Sequence, residues 1–316
     1  MNKKITSLCD LTVKNYRKVK EELRYDGEYI NHFASLVYSD YEEDIQTSRV
    51  KKLRTYIKEK TSRMSCFRGD ILYMLSFLIV DEKDKEYFID EIISTYELLI
   101  ESGFKESQYL VLTSYVLVKY GQKENRFFDI SNIKEIFSLI KERYDNVTNE
   151  EDYLECALLT LTNVNNDKVV DNIDIVVNSL SELDMFSKNS VQGLAMAILL
   201  NKSALDLYNI NELLIEFERR DMKISHQFLP LLGIINHNKS AKEYVDEVNE
   251  VIKYLCEEEA LYEFYMDKSF RTFIAIAIIE LSKKDKKERY VKELLSVCVY
   301  SFLLSKNQGV FSEILA

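Results

Sequence analysis

Proline, glycine, tryptophan and histidine are all scarce in this chain of 316 residues, at 1, 7, 0 and 3 respectively. All-β and alternating β/α folds need Gly, Pro and Asn-Gly corners roughly every ten residues, and so few turn formers exclude both. Single, scattered glycines also exclude the phosphate-cradling loops of Walker and dinucleotide-binding motifs. The histidines, His32, His226 and His237, match no zinc spacing and read as capping or surface residues, so neither a metal nor a cofactor is expected. Long apolar runs are missing too: nothing approaches the ~18 residues of a membrane span. The N-terminus MNKKITSLCD lacks the apolar stretch of a signal peptide. Five cysteines, Cys9, Cys66, Cys156, Cys256 and Cys298, are odd in number and far apart, as expected of reduced thiols in a cytoplasm. With a net charge of -11, the chain repels nucleic acid and anionic lipid, and a basic or neutral partner fits it better.

What is present is helical periodicity. In the stretch up to Gly103, Phe88, Ile89, Ile92, Ile93, Tyr96, Leu99 and Ile100 recur at three- and four-residue spacing, which predicts one amphipathic helix. Gly103 stops it, and Ser107 is placed to cap a second, more apolar helix carrying Leu110, Val111, Tyr115, Leu117 and Val118. The same unit repeats: an outer, charged, longer helix alternates with an inner, apolar, shorter one six times. Taking Ile71, Tyr109, Tyr153, Val191, Gln227 and Phe270 as equivalent starts of inner helices, the period is roughly 36 to 44 residues. The expected fold is all-α, antiparallel helix hairpins stacked into an α-solenoid-like array. Two helices at 10–25 and 28–39 precede it, so residues 1–40 are expected to pack on a repeat domain of 41–316, or to continue it as one domain 1–316. Small residues on the inner helices, including Ala157, Gly193, Ala197 and Gly233, predict close backbone approach there.

Several local expectations follow. Thr148 with Glu151, and Ser240 with Glu243, stand in capping-box spacing. Asp70, within an Arg-Gly-Asp tripeptide, is expected to cap the first inner helix. Asn209 and Glu212 mark an outer-helix start. Pro230 predicts a helix that begins late, near Leu229. The last helix is expected over about 286–305, ended by Gln308 and Gly309.

The GFK-x-S-x-YL corner of residues 103–110 follows a helix of the ELLIESGF type, and the helix VKKLRTYIKEK precedes a FRGD corner. In these features the chain resembles an uncharacterised bacterial family, the domain of unknown function numbered four thousand and three, over roughly residues 28–285. The resemblance implies a helical pattern and no assigned activity.

No residues form a catalytic signature. Cys156 and Cys256 lie on apolar faces without a neighbouring histidine and read as small buried hydrophobes. One feature points to binding. Parallel inner helices would gather their N-termini on one rim, bringing together Arg68, Lys105, Tyr109, Tyr153, Gln192, Gln227 and Arg271 as candidate ligand-binding residues, suited to a carboxylate, a phosphate or an acidic peptide. The expected function is a non-enzymatic helical-repeat module binding a protein or peptide, with no nucleic acid or membrane partner. The alternatives are an all-helical enzyme whose carboxylate and tyrosine site assembles only in three dimensions, and a peptide-sensing regulator.

Overall fold

The computed structural model describes residues 1–162, 164–179, 186–201, 207–235 and 239–315, and among them every regular element is a helix. His237 and Asn238, and the end of the expected outer helix at 180–183, lie outside the described residues.

Seven hairpins are formed by the described residues, each an outer helix followed by an inner one: α1 (Lys3–Glu22) with α2 (Glu28–Asp40), α3 (Thr47–Lys60) with α4 (Asp70–Leu78), and α5 (Lys85–Glu101) with α6 (Gln108–Tyr120). Then come α7 (Arg126–Arg143) with α8 (Tyr153–Leu161), and α9 (Asn166–Ser179) with α10 (Lys188–Leu200). The sixth pairs α11 (Leu207–Arg219) with a 3-10 segment at His226–Ile234. In the seventh, α12 (Ala241–Glu258) is followed by the short α13 (Leu261–Phe264) and the inner α14 (Lys268–Ser282). A final helix, α15, runs over Val291–Leu315.

The apolar stripe of α5 is buried at Ile89, Ile92, Tyr96 and Leu99, and every residue of α6 from Tyr109 to Leu117 is buried. Between them Gly103 takes a φ of +91°, a left-handed conformation that costs glycine nothing, while Ser107 Oγ accepts from Leu110 N at 3.1 Å. The Ser240–Glu243 capping box is also present.

Other helix starts differ. The box before α8 uses Asn149 and Asp152, because Thr148 donates instead to Gln192 Oε1 at 3.2 Å. Gly69, at φ +67°, precedes α4, and Asp70 sits in its first turn. Asn209 lies inside α11, and α1 starts at Lys3, capped by Asn2. Pro230 sits within a nine-residue 3-10 segment rather than in the first turn of an α-helix. Proline has no amide for the ladder, and the tight packing of this segment on α10 sets its path. A Cβ on Gly233 would lie 2.9 Å from both Ala197 Cβ and Ile198 N, so the small residues do permit close approach. Finally, α15 continues through Gln308 and Gly309 to Leu315: an isolated glycine in a helix costs only about 1 kcal/mol and need not end it.

The hairpins stack on their neighbours, and the two ends of the series meet. α1 packs on α12 and α14, and α2 on α14, so the array closes into a ring. At the seam His32 is buried, not a capping or surface residue: it stacks on Tyr16 at 4.1 Å between ring centroids, and its Nδ1 lies 3.2 Å from Tyr262 Oη. Phe228 stacks on Phe273 at 4.5 Å, joining the 3-10 segment to α14. Contacts at both ends show that the inner helices are parallel. Tyr109 Oη donates to Glu151 Oε1 at 2.8 Å at their N-terminal ends, and Asn201 Nδ2 donates to Gly233 O at 3.2 Å at their C-terminal ends.

The centre of the ring is filled by α15, buried on all sides at Val291, Leu294, Leu295, Cys298, Val299, Tyr300 and Phe302, as a helix without a polar face must be. It runs antiparallel to the inner helices. Glu293 near its start accepts from Tyr120 Oη at 2.7 Å and pairs with Lys119 at 3.3 Å, at the C-terminal end of α6. Farther along, Ser301 Oγ meets Tyr109 Oη at 2.8 Å, and Lys306 pairs with Asp267, the N-cap of α14, at 2.8 Å.

Candidate functional site

α15 leans on α2, α4, α6, α14 and the 3-10 segment. Toward α8 and α10 it leaves a recess of about 200 Å³ that opens at the N-terminal mouth of the ring. α8 and the turn before it contribute Glu151, Asp152 and Glu155. Ser187, Asn189, Ser190 and Gly193 come from the start of α10, His226, Gln227 and Pro230 from the 3-10 segment, and Val297, Cys298, Ser301, Leu304 and Ser305 from α15.

Most polar groups of the recess are engaged. Glu151 accepts from Tyr109 Oη through one oxygen and from Asn189 Nδ2 at 2.6 Å through the other. Asp152 Oδ2 accepts from the amide of Asn149 at 2.9 Å, as part of the capping box. His226 Nδ1 accepts from Ser187 N at 3.0 Å, which leaves its proton on Nε2 when the ring is neutral. Glu155 is the exception: it is 4% exposed, and its Oε2 has no hydrogen-bond partner among the described residues. Burial raises the Glu155 carboxyl to about 8, with Asp152 and Glu151 adding repulsion, and burial raises Asp152 to about 7. Burial also pushes the thiol of Cys298 well above its usual range, so it is inert as a nucleophile near neutral pH.

The seven rim residues divide. Tyr109, Gln227, Tyr153, Gln192 and Lys105 fall on the sector around the recess: Tyr109 orients Glu151, and Gln227 lines the cavity. Gln192 is buried against Thr148. Tyr153 is buried beneath Lys105, whose amide donates to Tyr153 Oη at 3.3 Å and whose Nζ pairs with Glu150 at 2.6 Å. Arg68 and Arg271 stand elsewhere. Arg68 donates to Lys58 O and Thr61 O at 2.9 and 2.5 Å, tying off the end of α3, and Arg271 donates to Tyr262 O at 2.9 Å.

Sequence reading passed over Asp152 and Glu155. The signal was there in DYLECALLTL, where two carboxylates three residues apart share a face of an otherwise apolar helix. Such a pair is costly to bury.

Among the described residues no group of three or more His, Cys, Asp or Glu side chains is placed to hold a metal ion, and no helix is long and apolar enough to cross a membrane. No curated protein and no solved structure matches the chain. A family pattern does match, over residues 15–308, and the chain accordingly belongs to the family described as protein of unknown function (DUF4003).

Proposed function

We propose that the chain is a non-catalytic helical binding module that receives a protein or peptide partner of basic character at the N-terminal mouth of the ring. The observation that carries this reading is the recess, which has carboxylates at Glu151, Asp152 and Glu155 and, among the described residues, no Lys or Arg in its lining. Its surroundings favour the same polarity: the chain carries a net charge of -11, which steers a cationic partner inward. Of the exposed apolar side chains, Tyr25, Met64, Phe264 and Tyr265 lie in turns or short helices that join outer to inner helices, while Phe127 and Phe128 lie at the start of the outer helix α7.

The test is fluorescence anisotropy with a labelled lysine-rich decapeptide and an acidic control of equal length. Saturable binding of the first and none of the second is expected, weakening with salt. Equal binding of both, or of neither, removes the reading.

One observation favours an enzyme. Carboxyls raised to about 7 and about 8 can exchange protons near neutrality, and Tyr109 donates to the neighbouring Glu151, which is a carboxylate and tyrosine site assembled only in three dimensions.

A further inference from the structure

We propose that the recess between α15 and the starts of α8 and α10 holds a single alkylammonium group, in the form of a lysine side chain presented by a peptide. This rests on the reading of the mouth as a docking face for a basic partner and names the group that enters it.

Donor and acceptor inventory comes first. An ammonium carries three donors and no acceptor, so it needs a site rich in acceptors and free of competing cations. The recess meets both conditions: its lining holds three carboxylates and the hydroxyls of Ser301 and Ser305, with no Lys or Arg among the described residues. Glu151 already accepts from Tyr109 and Asn189, and Asp152 from the amide of Asn149. Of the residues that line the recess, Glu155 alone keeps a buried oxygen with no partner among the described residues, and a buried polar atom left without one calls for a ligand that completes it. Ser305 Oγ spends its proton on Phe302 O at 2.7 Å, which leaves its lone pairs free to accept.

Size and apolar lining narrow the ligand further. A cavity of about 150 Å³ accommodates benzene, so this recess of about 200 Å³ takes one side chain and not a larger metabolite. Pro230, Val297 and Leu304 line it alongside the acids, apolar surface for the methylenes of a long cationic side chain. A guanidinium is a poorer fit, since its five donors in a plane need more free acceptors than Glu155 offers.

Binding is coupled to protons. The ionisable groups that face Glu155 are Asp152, Glu151 and Cys156 on its own segment, Cys298 from α15 and His226 from the 3-10 segment, with Tyr109 from α6 acting through Glu151, and none of them is a permanent cation. With its proton held up to about pH 8 in the empty recess, Glu155 must lose that proton to meet an ammonium as a carboxylate. Binding at pH 7 therefore releases a proton to the buffer.

The experiment is calorimetric titration of the full chain with N-acetyl-lysine methylamide and with the norleucine analogue, which has the same carbon chain and no amine, in two buffers of different ionisation enthalpy. Saturable binding of the lysine compound alone, with proton release at pH 7, is expected. Glu155→Gln should weaken it at least tenfold, and Ser305→Phe, which blocks the mouth without altering a carboxylate, should abolish it. Circular dichroism at pH 6 establishes that both variants are folded, and should Glu155→Gln fail to fold, the Ser305→Phe result decides. Equal behaviour of the two ligands, or lysine binding that both variants leave unchanged, overturns the proposal. If the lysine-rich decapeptide binds the native chain and both variants alike, the docking face stands and the ammonium site falls. If decapeptide and amide are both inert, both fall.

Discussion

A carboxyl group on an otherwise apolar helix keeps its proton to a higher pH than the same group in an unfolded chain, and that difference is a stability that varies with pH. Glu155 holds its proton to about 8 in the fold, whereas an unfolded glutamate ionises near ~4.3. Its folded pKa is raised, so its contribution is fully present below the unfolded value and is lost as pH climbs from there to about 8. Asp152 behaves alike, over a window that ends at about 7. Glu155→Gln should therefore match the native protein in stability near pH 4 and exceed it by roughly 5 kcal/mol at pH 9, read from urea unfolding at each pH. A constant difference across that range would refute the assignment. The opposite case is Arg54, which pairs with Asp26 at 2.6 Å with both side chains buried and lies over the rings of Tyr73 and Phe77. Arg54→Met leaves the acid buried without its partner and should cost about 3–5 kcal/mol, most of it recovered in the double variant with Asp26→Leu. Unfolding free energies of the two singles and the double measure this.

At the scale of elements, the corner between α5 and α6 shows what local chemistry specifies by itself. Gly103→Ala forces a side chain into a φ of +91° and should destabilise by about 1 kcal/mol, and Ser107→Ala, which loses the cap on α6, by a similar amount. Denaturant midpoints for the pair report both, and an unchanged midpoint for Gly103→Ala would mean the turn has relaxed. These features were legible because each depends on residues within one turn of the chain. The 3-10 segment at 226–234 was not, since its path depends on Gly233 pressing against Ala197 and Ile198 in α10. α15 was legible as a helix and not as the centre of the molecule, although VCVYSFLL offers no polar face to solvent. The recess was half legible. A rim of helix starts follows from the hairpin period, and Tyr109 and Gln227 are on it at the cavity. Its chemistry was missed, because the acids that matter are a pair on α8 whose surroundings come from α10 and α15.

For the whole molecule, closure changes how the array should unfold. An open stack of hairpins contacts only its neighbours and can lose units from its ends. Here Arg17 pairs with Glu259 at 2.9 Å and His32 meets Tyr262, so no hairpin is terminal, and α15 touches five inner elements at once. Unfolding in urea should follow a single transition, with far-ultraviolet circular dichroism and tyrosine fluorescence coincident; the chain has no tryptophan to confuse the second probe. Separated transitions would show that the ring is several units. No periodicity in the sequence announces the seam, whose partners His32 and Tyr262 are 230 positions apart.

The central helix also imposes an order in time. Tyr29 on α2 has Phe302 on α15 as an edge-to-face neighbour at 5.1 Å, yet the ribosome makes the first roughly 270 residues before the second. At ~5–20 residues per second that is a delay of roughly fifteen seconds to a minute, during which the inward faces of α2, α4 and α6 have no lasting cover. The early hairpins must spend that interval as an incomplete arc, sticky on its concave side and within reach of chaperones. Arrival of α15 is then the step that converts a chain in waiting into a finished protein.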